Sequence, residues 1–589
     1  MKQFLITMAG VFAGLALFVI GIPFLLISAA AGALAPEPLP ARMVLSVDLR
    51  GPLSDQDGGV ASIFRGGSTS VISLVQTLRE AEKDDRVKGV FVRLPEGGLT
   101  PATAEEIRSA IRHFRASGKP VFAHSQGIYP AGPVASTYMV GAAADAFWMQ
   151  PDSSFQATGM IGQDLFLKRA FDRYGVEPDF AQRYEYKNAV NAYLQTDYTA
   201  AHREATLGWM TSVYTSALNA AAADRKREPA ALRALFESGP HLAQEAKAKG
   251  LIDETGQVKE AQDALIKAAG GDASLTEIHD YQGRLQVPDL NGRPTIAFVG
   301  AEGAIMTGSS DSASPLSGDS TVRSDDIAQA LYAAAEDDDV RAIVFRVSSP
   351  GGSDTASEQI LAAVRSARAA GKPVVVSMGD YAASGGYWIS SGADEIVASP
   401  GTLTGSIGVF GGKFAIGDAL ARFGVDARSL QVGGEYAGTG DFSQPFTPAQ
   451  QAKFETWMDQ IYNAFIARVA QGRSMPVERV NEIARGRVWT GEQARSLGLV
   501  DHLGGFYVAV DRAKALAKID GEVRLKRFGG PQSPFEMLGR ALGLTAASVR
   551  TLAASAWVLG DPAAQGLLDQ AMQARLRSGG AHVLADTPL

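Results

Sequence analysis

Val340-Arg341-Ala342-Ile343-Val344-Phe345-Arg346 is a near copy of Val87-Lys88-Gly89-Val90-Phe91-Val92-Arg93. Ser117-Gly118-Lys119-Pro120-Val121 likewise returns as Ala370-Gly371-Lys372-Pro373-Val374, so both blocks recur at one offset of 253 residues, from 87 to 340 and from 119 to 372. Further on, Leu207-Gly208-Trp209-Met210 answers Glu455-Thr456-Trp457-Met458 and Gly250-Leu251-Ile252-Asp253 answers Gly498-Leu499-Val500-Asp501. There the offset is 248, from 209 to 457, so small insertions and deletions separate the blocks. A self-similarity of this length makes the chain a tandem of two related domains. Each copy opens on a short apolar run, Met43 to Leu49 or Thr295 to Val299. A helix with apolar residues at helical spacing follows (Ile72, Leu74, Val75 and Leu78; Ile327 and Leu331). Then come a buried strand (Gly89 to Leu94; Ala342 to Val347), a second helix and a third strand (Val121 to His124; Val374 to Ser377). Strands and helices in alternation predict an α/β fold of βαβ units with parallel sheets, whose ligands gather at the carboxyl ends of the strands.

The two copies have decayed in complementary ways. Tyr129-Pro130-Ala131-Gly132-Pro133 falls on Ala382-Ala383-Ser384-Gly385-Gly386, so the first copy has Ala131 where the second has Ser384. In the other direction, Tyr184-Glu185-Tyr186-Lys187 falls near Gly434-Glu435-Tyr436-Ala437, where no lysine stands. Each half therefore keeps one member of a serine/lysine pair and lacks the other, as expected of a site built across the repeat interface.

Amide hydrolysis needs a nucleophile, a base for its proton, and donors for the oxyanion. Ser384 is followed by two glycines and the apolar run Tyr387-Trp388-Ile389, which places it on a tight turn opening a helix. Ser-Gly-Gly also suits an ordinary strand-to-helix turn. Ser349-Pro350-Gly351-Gly352 closes the preceding strand, and glycines let backbone N–H groups approach a carbonyl closely. Gly351 and Gly385 are accordingly expected to form the oxyanion hole. No histidine lies near these motifs, but a lysine serves as base if burial lowers its pKa toward neutrality, and Lys187 has the mixed surroundings that allow it. Thr404-Gly405-Ser406-Ile407-Gly408 has its counterpart in Thr158-Gly159-Met160-Ile161-Gly162, so Ser406 is another hydroxyl confined to the serine-bearing half. It is expected to orient the lysine; capping a helix is the plainer alternative.

Composition narrows the field. Among the 589 residues there is no cysteine, which excludes a thiol nucleophile, a disulfide framework and cysteine metal sites. The seven histidines form no paired-ligand spacing, so no metal or other cofactor is expected. A net charge of −8 describes an ordinary surface without the basic clusters that nucleic-acid binding requires. From Gln3 to Pro36 there is no ionisable side chain, an apolar stretch longer than the roughly 20 residues that span a hydrocarbon core. Residues 1–36 read as a transmembrane signal anchor; cleavage at Ala29-Ala30-Ala31 or Ala33-Leu34-Ala35 is the alternative. Lys2 before that stretch points to a cytoplasmic N-terminus and an exported body, with Arg42 on the far side weighing against.

Ser349-Pro350-Gly351-Gly352-Ser353, Ala382-Ala383-Ser384-Gly385-Gly386-Tyr387-Trp388-Ile389 and Leu403-Thr404-Gly405-Ser406-Ile407-Gly408, preceded by Tyr186-Lys187-Asn188-Ala189-Val190, together resemble the long, duplicated form of the signal peptide peptidase A (protease IV) family. The resemblance covers both halves and the anchor. It implies a fold related to Clp protease and crotonase, Lys187 as base and Ser384 as nucleophile, and a homotetramer in the bacterial inner membrane whose periplasmic catalytic body digests cleaved signal peptides. Asp380 departs from the glycine or small residue expected there and bears on the rim of the site. The domains expected are the anchor at 1–36, a first repeat at 43–288, a second at 294–524, and a helical extension at 525–589. A crotonase-like acyl-CoA enzyme and a decayed membrane scaffold are the alternatives. The first would want acidic residues in place of Ser384, and the retained serine, lysine and glycines argue against the second.

Overall fold

Val340–Ser349 and Val87–Leu94, the strands that carry the repeated sequence, lie at the heart of two sheets with the same strand order. The computed structural model describes residues 38–56, 69–284, 292–310 and 321–529. In the first sheet the order is Glu254–Thr255, Ala146–Met149, Val121–Ser125, Val87–Leu94, Met43–Asp48 and Ser274–Glu277, every pair parallel. The second sheet repeats this as His502–Leu503, Glu395–Ala398, Val374–Ala383, Val340–Ser349, Thr295–Glu302 and Arg524–Phe528, again all parallel. The last strand runs past position 524, because Leu525 and its neighbours pair with Ile296 through Val299.

Helices on both faces explain why the central strands read as nearly unbroken apolar runs. Ser324–Glu336 and Asp354–Ala369 cover one face of the second sheet, packing Leu331, Ile360 and Val364 against Ile343, Phe345 and Val376. Ser353 starts the second of these helices by accepting a hydrogen bond from the Ala356 N–H, and Asp354 adds negative charge in its first turn. The opposite face packs on Phe506–Leu516, and Ile72 of the first repeat joins that core.

Both repeats fall in a single compact unit. Buried charge joins them. Arg346 of the second repeat, 1% exposed, donates to Asp55 at 2.6 Å and Glu106 at 2.7 Å, both from the first, and to Ser377 Oγ at 2.8 Å. Asp380 accepts from the Thr103 N–H and from the hydroxyls of Thr100 and Thr103, capping helix Pro101–Ala116 of the other repeat. Its carboxyl pKa is raised, chiefly by burial. The departure seen in the sequence is thus an inter-repeat helix cap.

The anchor at 1–36 and nearly all of the extension, 530–589, lie outside the described residues. Among the described residues no helix is long and apolar enough to cross a membrane.

Candidate active site

Strand Val374–Ala383 is ten residues long, whereas its counterpart Val121–Ser125 has five. The extra length is held by parallel pairing of Tyr381 through Ala383 with Leu403–Gly405, which in turn pairs antiparallel with Val488–Thr490. Ser384 is delivered at the end of this extension, where its N–H donates to the Gly405 carbonyl at 2.9 Å. The chain turns sharply there, with φ 55° and ψ −121° at Ser384, a conformation that side chains other than glycine seldom adopt. Helix Gly385–Ser390 follows at once and is anchored by the Tyr387 hydroxyl on the Leu499 carbonyl and by Trp388 stacked on Phe465. A side chain at either glycine after Ser384 would have to displace a neighbour. A Cβ at Gly385 would stand 2.7 Å from Ser357 Oγ, and one at Gly386 would stand 2.6 Å from the Ser349 carbonyl oxygen.

The glycine turn lies directly against the serine. Gly351 has φ 107°, and a Cβ there would fall 2.7 Å from both Ser384 Cβ and the Gly385 nitrogen. The Ile305 N–H donates to the Gly351 carbonyl, and the Ser353 N–H donates to the Ile305 carbonyl, fixing the turn from both sides. The Gly351 N–H is already donated to Ser349 Oγ at 3.1 Å, while the Gly352 N–H makes no backbone hydrogen bond among the described residues. Of the two glycines beside Gly385, Gly352 is the one whose N–H has no backbone acceptor among the described residues.

Lys187 arrives from the first repeat on an arm. Strand Glu177–Arg183 pairs antiparallel with Val409–Ala415 of the second repeat, with Arg183 opposite Val409, so the residues just after Arg183 meet the residues just before Val409. This brings Lys187 to Ser406 and Ser384. Its Nζ lies 3.2 Å from Ser384 Oγ, and 2.9 Å from both the hydroxyl and the carbonyl oxygen of Ser406. The lysine is 4% exposed, and burial pulls its pKa down from 10.5 to about 7. Ser406 itself is held with φ 49° by donating its N–H to the Arg487 carbonyl at 2.7 Å. It is not a helix cap.

The corresponding place in the first repeat has its own hydrogen bond. The Gly98 N–H donates to the carbonyl of Ala131, the residue aligned with Ser384, at 2.7 Å. The sequence reading singled out neither Gly352 nor the turn Arg485-Gly486-Arg487, which meets the lysine segment through backbone and side-chain atoms alike and carries no motif.

Comparison with known proteins finds a duplication as well. The model of peptidase family S49 matches twice, at residues 113–271 and 366–520. The chain belongs to peptidase family S49. It is 36% identical over 475 residues to Protease 4 of Salmonella typhi, covering 78% of this chain and 74% of that one. The chloroplastic serine protease SPPA of Arabidopsis thaliana is 29% identical over 521 residues, covering 86% of this chain and 75% of its own. A solved structure of ClpP1 from Listeria monocytogenes aligns with 36% of this chain and 94% of its own, at 13% identity and a TM-score of 0.24. The kinship with signal peptide peptidase A read from the motifs holds, and the protein is a serine peptidase.

Proposed function

We propose that the protein is a membrane-anchored endopeptidase in which Lys187 of the first repeat activates Ser384 of the second to cleave signal peptides and other apolar peptides. The observation that carries this reading is the 3.2 Å separation of Lys187 Nζ and Ser384 Oγ inside a buried pocket. With a pKa of about 7, the lysine is half neutral at neutral pH. Two of its N–H bonds then point at the Ser406 oxygens, and its lone pair accepts the Ser384 proton. As the proton moves to Nζ, Ser384 Oγ bonds to the scissile carbonyl carbon. The carbonyl oxygen takes up the negative charge, and the N–H groups of Gly385 and Gly352 stabilise it. The Lys187 ammonium next protonates the departing amine, leaving an acyl-serine. Water releases the acyl group by the same proton path in reverse.

The wider assignments follow the family resemblance: repeats at 43–288 and 294–524, an anchor at 1–36, an extension at 525–589, a homotetramer, and a periplasmic catalytic body on the bacterial inner membrane. Cleavage of an apolar peptide by the detergent-solubilised full chain tests the reading. Ser384→Ala and Lys187→Met are each expected to lower kcat by roughly four orders of magnitude or more. Cleavage by Ser384→Ala at the wild-type rate would exclude the assignment.

A further inference from the structure

We infer that Arg485-Gly486-Arg487 is a positioning clamp for the lysine, one turn of the second repeat that fixes the Lys187 backbone and Ser406 together and admits no side chain at Gly486. The inference rests on the dyad reading above. Three consecutive residues each perform a separate part. The Arg485 carbonyl accepts from the N–H groups of both Tyr184 and Tyr186, each at 3.2 Å, which ties down the segment leading into Lys187. Gly486, with φ 83°, lies flat against the lysine backbone. A Cβ there would stand 2.5 Å from Lys187 Cβ, 2.6 Å from its nitrogen and 2.7 Å from its Cα. The Arg487 carbonyl accepts from the Ser406 N–H, and the Gly486 N–H donates to the Ile407 carbonyl at 2.8 Å, so the same turn fixes the residue that receives the Lys187 amine.

The side chains fasten the turn to the first repeat. Arg485 Nε donates to Glu185 at 2.8 Å, and its guanidinium lies over the Tyr184 ring. Arg487 sits over both Tyr186 and Trp489 and donates to Glu204 at 2.6 Å. Glu204 also accepts from the Tyr186 hydroxyl. These groups leave the neutral range to the lysine. Hydrogen bonds from Arg485 and Arg487 hold Glu185 and Glu204 below the usual carboxylate range, and desolvation raises Tyr186 above the usual phenol value. A methyl group at Gly486 must push the lysine backbone away, tipping the amine out of its pocket and returning its proton affinity toward that of a solvated lysine.

The test is the pH profile of peptide cleavage by the full chain in detergent, for wild type, Gly486→Ala, Arg487→Lys and Lys187→Met. For Gly486→Ala the alkaline-rising limb is expected to move up by one to two units. Activity at pH 7 then falls by about 5- to 50-fold and is largely recovered near pH 10, with KM little changed. Arg487→Lys keeps the charge but loses the flat stack between Tyr186 and Trp489, and is expected to shift the limb the same way by about half a unit. Arg487→Lys decides the matter if Gly486→Ala does not fold. An unmoved limb in the folded variants overturns the clamp, even if kcat drops uniformly. An inactive Lys187→Met beside an unmoved limb would sink the clamp alone, whereas an active Lys187→Met would sink the dyad beneath it.

Discussion

Replacing Arg346 by methionine strands two carboxylates between the repeats, and the cost follows from what surrounds them. Arg346 is 1% exposed, and the side chains of Asp55 and Glu106 are 4% and 3% exposed. Without the guanidinium, neither carboxylate has a cation to balance its charge at that position. Among the described residues Glu106 would keep only the Phe506 N–H and Asp55 only the Gln56 side-chain amide, with the Glu302 carboxylate close enough to repel it. Breaking a buried ion pair from one side costs about 3–5 kcal/mol. At roughly 2 °C per kcal/mol, the value for a domain the size of one repeat, the melting temperature should fall by about 6–10 °C. Differential scanning calorimetry of the detergent-solubilised chain at pH 7.5 measures this. The triple variant Arg346→Met, Asp55→Asn, Glu106→Gln removes all three charges together and should regain most of the loss. A melting temperature for Arg346→Met within about 1 °C of wild type would refute the reasoning, because the carboxylates would then have water or another cation within reach.

Three further outcomes follow from the geometry. The Lys187 pKa is about 7 in the folded chain and 10.5 when solvated, so between those values the unfolded state binds the extra proton and wild-type stability rises with pH. Lys187→Met removes that slope, a relative change of about 2–3 kcal/mol between pH 7 and 9, and superimposable stability curves for the two proteins would contradict it. Asp380→Ala deprives helix Pro101–Ala116 of its cap and should cost about 1 kcal/mol in thermal unfolding, with Asp380→Asn recovering part of it. Ser406→Ala removes one of the two oxygens that aim the Lys187 amine and should lower kcat by about 10- to 100-fold with little change in KM; an equal rise in KM would point to a binding role.

The duplication was legible because its strands are buried on both faces, so their apolar letters survive while the surface drifts. Laying one copy on the other exposed Ser384 and Lys187 through what each copy had lost. Which glycine N–H, that of Gly351 or of Gly352, is left without an acceptor was not legible, since it depends on the Ser349 hydroxyl reaching Gly351. Asp380 read as a change at the rim, and its capping of the other repeat was not legible because its partners Thr100 and Thr103 lie about 280 residues earlier in the chain. The antiparallel pairing of Glu177–Arg183 with Val409–Ala415 escaped notice for a related reason. Its strands are only partly buried and show no clean alternation to fix a register. Gly486 acts by having no side chain, and that leaves no chemical letter to read.

The most direct measurement is the rate at which a fluorophosphonate labels Ser384 between pH 5 and 10, with wild type and Lys187→Met compared in the same detergent. Labelling by wild type should climb with a midpoint near pH 7 and all but vanish in Lys187→Met. Equal labelling of the two proteins at every pH would mean that some other group takes the serine proton.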